Sequence, residues 1–63
     1  MKISVGDVFK TPGMVLRVAE KHGNSLKCEY YDRESESWKP RCVTENAKKI
    51  EQKIESGYYS LIV

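Results

Sequence analysis

The sequence is poor in the residues that let a small protein depend on chemistry instead of packing. In 63 residues it holds two cysteines, one histidine, two prolines, one tryptophan and one phenylalanine. His22, Cys28 and Cys42 are the only soft metal donors, and no two have the close spacing of a structural zinc site, so no metal is expected. The cysteines form no Cys-x-x-Cys pair, which excludes a redox motif. No nucleophile motif, triad or phosphate loop accompanies His22, so it reads as a surface residue of a non-enzyme with no cofactor or small-molecule substrate. No apolar run approaches 18 residues, and Met1 to Asp7 has no stretch suited to a secretory signal. The cytoplasm is the default compartment, where Cys28 and Cys42 are thiols, although a secreted or processed relative would allow them to pair. Charge of neither sign dominates: eleven Lys and Arg stand against nine Asp and Glu, a net of +2. That total is too small to argue for nucleic acid, so the distribution of charge has to decide.

What is present is enough for one domain spanning residues 1–63. A chain this short buries only ~60 % of the surface its unfolded form exposes, so a second copy is a natural source of added stability. The charged fraction of 32 % beside 40 % hydrophobic residues belongs to a folded chain.

Hydrophobic alternation predicts extended structure along most of the chain. Val5 to Lys10 reads as a first strand, and Thr11-Pro12-Gly13 as a turn. Met14 to Glu20 alternates Leu16 and Val18 with Arg17, and Gly23-Asn24 suits a hairpin. Ser25 to Tyr31 puts Leu26, Cys28 and Tyr30 on one side and Lys27, Glu29 and Tyr31 on the other. Asp32 to Ser37 is a polar loop, and Trp38 to Thr44 is a fourth strand whose Pro40 marks an edge or a bulge. One register of that hairpin places Cys28 opposite Cys42 and Tyr30 opposite Pro40, while a one-residue slip places Cys28 opposite Arg41. Thr44 is then a helix cap, and Ala47, Ile50 and Ile54 form the apolar stripe of a helix of about twelve residues ending at Ser56-Gly57. Tyr58 to Val63 is a last strand, apolar on both faces and running to the final residue, as a terminus tucked into a sheet would.

The order β-β-β-β-α-β resembles the SH3-like barrel superfamily, in particular its Tudor-like and KOW-like branches. The resemblance rests on Val5-Gly6-Asp7-Val8, Met14-Val15-Leu16-Arg17-Val18 and Cys28-Glu29-Tyr30-Tyr31-Asp32, within roughly residues 3–50. It is similar to small bacterial or phage proteins of that superfamily, and it implies a mainly β fold: a small, partly open five-stranded barrel with one amphipathic helix before the last strand. Two features depart from the pattern. The helix is longer than the single turn usual in such barrels, and the aromatic cage that Tudor-like folds use for methylated side chains is incomplete once Tyr30 points inward.

Three groups of side chains are candidates for binding. Tyr31 and Trp38 flank the acidic loop and offer a platform for a peptide or a base; the alternative, favoured for a lone tryptophan in so small a chain, is that Trp38 plugs the barrel. Arg17, Lys27, Lys39 and Arg41 fall on outward positions by alternation and would make a basic face for nucleic acid, or an ordinary solvated one interrupted by acids. Tyr59, Leu61 and Val63 share one face of the last strand and would serve self-association. Asp32, Glu34 and Glu36 lack calcium-loop spacing and read as a solvated loop. The reading favoured is a binding module for a protein partner or a second copy of itself. Nucleic-acid binding and inhibition of a larger enzyme are the alternatives.

Overall fold

The computed structural model describes residues 1–62. Alternation along the middle of the chain becomes three long strands, β2 (Val15–His22), β3 (Ser25–Asp32) and β4 (Ser37–Asn46). The short β1 (Val8–Lys10) precedes them, and α1 (Ala47–Glu55) and the short β5 (Ser60–Ile62) follow. All five strands lie in one antiparallel sheet of order β4-β3-β2-β1-β5. The helix therefore carries the chain across the sheet, from the edge strand β4 to the far edge at β5. The two edges do not pair, so the mainly β architecture is an open sheet with one helix before its last strand.

Period-two burial decides which face the helix covers. Phe9, Leu16, Val18, Leu26 and Cys28 project to one side and meet Ile3, Ala47 and Ile50, all of them buried. Tyr30, Ile54 and Tyr59 close the margin of this single core. A nine-residue helix is too short to persist alone in water, so its stability comes from docking Ala47 and Ile50.

Four local expectations are corrected. First, β1 starts at Val8, because Gly6 takes a positive φ of 93° and the Ser4–Asp7 segment closes as a turn, with the Ser4 amide donating to Asp7 Oδ2 at 2.8 Å. Second, Thr44 is not the helix cap: it lies in β4 opposite Lys27, and Asn46 caps α1 by accepting the Lys49 amide on Oδ1 at 3.1 Å. The hairpin residue Asn24 adds a second clamp, its backbone oxygen accepting from the Ala47 amide at 2.8 Å and its Oδ1 from the Lys48 amide at 3.1 Å.

Third, the β3–β4 hairpin takes the slipped register from Glu29 to Asp32, and a bulge shifts it again before Lys27. Tyr30 faces Lys39, Glu29 faces Pro40 and Lys27 faces Thr44, so Arg41, Cys42 and Val43 together oppose Cys28 in a bulge. Proline has no amide to give the ladder, and the bulge begins beside it. Cys28 is buried and Cys42 exposed, and both are free thiols. Fourth, the last strand starts at Ser60, not Tyr58, and is described as Ser60–Ile62; Val63, expected to share in self-association, lies outside the described residues. Among the described residues no helix is long and apolar enough to cross a membrane.

Candidate functional site

Directly opposed residues on neighbouring strands share a face, so the register sorts the candidate side chains. Val8, Arg17, Glu29 and Pro40 form one row across the outer face of the sheet. In the next row Lys10 pairs with Val15, and Tyr31 with Trp38. Tyr30 and Lys39 point the other way, together with the core.

The outer face carries a linked chain of contacts. Arg17 donates from Nε (3.0 Å) and Nη2 (2.8 Å) to Glu29 Oε1. Its guanidinium sits 4.4 Å from the centroid of the Trp38 ring, and Trp38 meets Tyr31 edge-to-face at 5.4 Å. Trp38 is thus half-buried on the outside of the sheet rather than plugging the core as expected. The core is filled by Phe9 and the aliphatic residues, and the two-residue periodicity of β4 leaves Trp38 no route inward.

The basic face predicted from alternation is divided. Arg17 and Lys27 remain on the outer side, but the register moves Lys39 to the side of Tyr30, where its ammonium pairs with Asp32 Oδ2 at 2.8 Å. Hydrogen bonds from Lys39 and then from the Ser35 hydroxyl hold the Asp32 carboxyl below its ordinary range, and Asp32 in turn raises Lys39. Asp32 also accepts the Glu34 amide at 3.1 Å, so the expected solvated acidic loop is organised around its first carboxylate.

Arg41 is likewise not outward. The bulge brings it to Glu45 at 3.1 Å and lets Nη1 donate to Met14 Sδ at 3.2 Å, leaving its buried Nε without a partner. Glu45 is paired with the buried Leu26, and both Arg41 and Glu45 act electrostatically on Cys28. Burial is the larger influence on Cys28 and pushes its thiol up, away from nucleophilic chemistry. His22 is exposed, its Nε2 3.1 Å from Glu20 Oε1.

The face expected to self-associate is turned partly into the core. Tyr59 is half-buried and stacks on Phe9 at 5.9 Å, and Leu61 pairs with Phe9 across the β1–β5 ladder. The more exposed apolar surface at this end is Ile62 (44 %) and Tyr58 (61 %), beside Leu61 (39 %). Tyr58 stacks on Tyr59 at 5.4 Å, and Lys53 Nζ lies 5.1 Å from both ring centroids.

One surface feature was not singled out from sequence. A cleft of about 450 Å³ lies at the end of the sheet between the Thr11–Met14 turn and the tip of β3, with Lys10, Val15, Tyr31 and Arg33 on its walls. The signal available in the sequence was only the Thr-Pro-Gly turn; the approach of Arg33 to Lys10 depends on the tertiary register. Among the described residues no cluster of three or more His, Cys, Asp or Glu could hold a metal ion. No protein-family model, curated protein or solved structure matches this chain.

Proposed function

We propose that this protein is a non-catalytic binding module that engages protein by adding a strand at the β5 edge, with a second copy of the chain as the partner. The observation that carries this reading is the contrast between the two edges of the sheet. Edge strands present unpaired backbone groups, and proteins blunt them with proline, bulges or charge. The β4 edge has Pro40, the Arg41–Val43 bulge and Lys39. Among the described residues the β5 edge, short at three residues, has no proline, bulge or charge: Ser60, Leu61 and Ile62 are all exposed, and two of the three are aliphatic. An added strand would gain main-chain hydrogen bonds there and cover Leu61 and Ile62.

The disposition of the reactive side chains supports a non-catalytic role. Cys28 is buried with a raised pKa, and His22 has only an exposed carboxylate beside it. Nucleic-acid binding is less favoured, because Arg17, Lys39 and Arg41 each hold an intramolecular carboxylate. Sedimentation equilibrium from 5 to 500 μM (roughly, bracketing weak dimers) tests the proposal. A dimer that Ile62→Lys abolishes, with the fold retained by circular dichroism, is the expected result. A monomer throughout the range overturns it.

A further inference from the structure

The cleft between the Thr11–Met14 turn and the tip of β3 combines three properties. Its walls carry two cations, Lys10 and Arg33, and no acidic side chain. Neither cation takes part in an ion pair among the described residues, a trait they share with Lys2, Lys21, Lys27, Lys48, Lys49 and Lys53 but not with Arg17, Lys39 and Arg41. Between them the wall is apolar and aromatic, formed by Val15, Tyr31 and Met14, with Tyr31 and Met14 39 % and 41 % exposed.

The walls are also held in place before any ligand arrives. Thr11 is buried, and its hydroxyl oxygen accepts the amides of Gly13 (3.3 Å) and Met14 (3.0 Å) while donating to the Met14 carbonyl (3.3 Å). The Thr11 amide closes the same turn on that carbonyl at 2.8 Å. On the opposite wall Tyr31 leans on Trp38, Trp38 lies under Arg17, and Arg17 is fixed by Glu29. Arg41 further tethers Met14 through its sulfur. Ordering costs of binding are reduced where loop and side chains are already fixed.

We propose that this cleft is a binding site for an acidic, hydrophobic peptide segment of another protein, an aliphatic or aromatic residue flanked by Asp or Glu. The apolar residue packs on Tyr31, Val15 and Met14, and the flanking carboxylates meet Lys10 and Arg33. About 450 Å³ holds one large side chain with its neighbours and is too small for an extended fold. A polynucleotide is the less suitable ligand, since two cations offer few phosphate contacts. Lys10 stands opposite Ser60 of β5, so binding is also measured on Ile62→Lys, where retained affinity separates this site from the edge.

The experiment is fluorescence anisotropy with three fluorescein-labelled peptide pools, built around a central Leu or Phe with Glu/Asp, Ser or Lys at the flanking positions. A labelled oligothymidine is the fourth probe. The acidic pool is expected to bind most tightly and to weaken as salt rises. Lys10→Ala with Arg33→Ala should lower its affinity about tenfold, the scale of two exposed charge contacts. Tyr31→Ala should lower affinity while leaving the salt dependence in place. Lys48→Ala with Lys49→Ala removes the same net charge from the exposed helix surface and should leave binding unchanged. Equal binding of acidic and neutral pools, no binding by any pool, or an equal loss in the Lys48/Lys49 variant overturns the proposal. Tighter binding of oligothymidine through Lys10 and Arg33 overturns it in favour of phosphate recognition.

Discussion

Ile50 is the residue on which the docking of the helix rests. It is 3 % exposed and enters the same cluster as Phe9, Leu16, Val18 and Leu26, from a helix of only nine residues. Ile50→Val removes one methylene and should cost about 0.5–1.5 kcal/mol, whereas Ile50→Ala should cost about 2–5 kcal/mol. At ~0.05–0.15 kcal/mol per residue a chain of this length has about 3–9 kcal/mol in total. The valine variant should therefore fold, with its urea midpoint lowered by about 1 M for a slope near 1 kcal/mol/M. Its melting temperature should fall by roughly 4–8 °C per kcal/mol. The alanine variant should lose about half of the total stability at the middle of both ranges. The assay is urea unfolding followed in parallel by far-UV ellipticity, which reports α1, and by Trp38 fluorescence, which reports the outer face of the sheet. Because helix and sheet share one core, the two transitions should shift together in Ile50→Val. Loss of the helical signal at low urea while the Trp38 transition keeps the wild-type midpoint would refute the argument. Lys49→Ala, an exposed change toward a better helix former, should stay within about 0.5 kcal/mol of the parent.

Asn46→Ala should cost about 1 kcal/mol by removing the acceptor for the Lys49 amide, and Asn46→Asp should recover most of that in the same urea assay. In the native protein one thiol, Cys42, should react rapidly with a disulfide reagent at pH 8 (roughly, near the ordinary thiol range). Cys28 should react only on unfolding; equal rates for both, or formation of an internal disulfide, would contradict the bulged register. The lowered Asp32 pKa means that its pairing stabilises the fold above the unfolded-state value and that this contribution disappears as pH falls through the folded-state value. In an NMR titration Lys39→Ala should raise the Asp32 midpoint toward that of an ordinary carboxylate, and an unmoved midpoint would remove Lys39 as the main cause.

The order of elements, the inward set Leu16, Val18, Leu26, Cys28 and Tyr30, and the helical stripe Ala47, Ile50 and Ile54 were all legible in the sequence. Each is a local periodicity, and burying one face of a strand or helix is enough to enforce it. The candidate site was less legible, because it depends on register and on which strand ends up beside which. Pro40 signalled a bulge, but its size was not readable, and that size sends Arg41 toward Met14 and leaves Cys42 exposed. Starting β4 one step from the expected pairing turned Lys39 toward Asp32 and so divided the predicted basic face. Trp38 was misplaced for a related reason: burial statistics describe an average tryptophan, whereas here Arg17 and Tyr31 shelter its ring outside the core. Lys10 and Arg33, more than twenty positions apart, meet at one cleft only because the β1–β2 turn and the tip of β3 lie at the same end of the sheet. Periodicity sets which way a side chain points along its own element; strand order, register and bulges, which are tertiary, decided what stands opposite it.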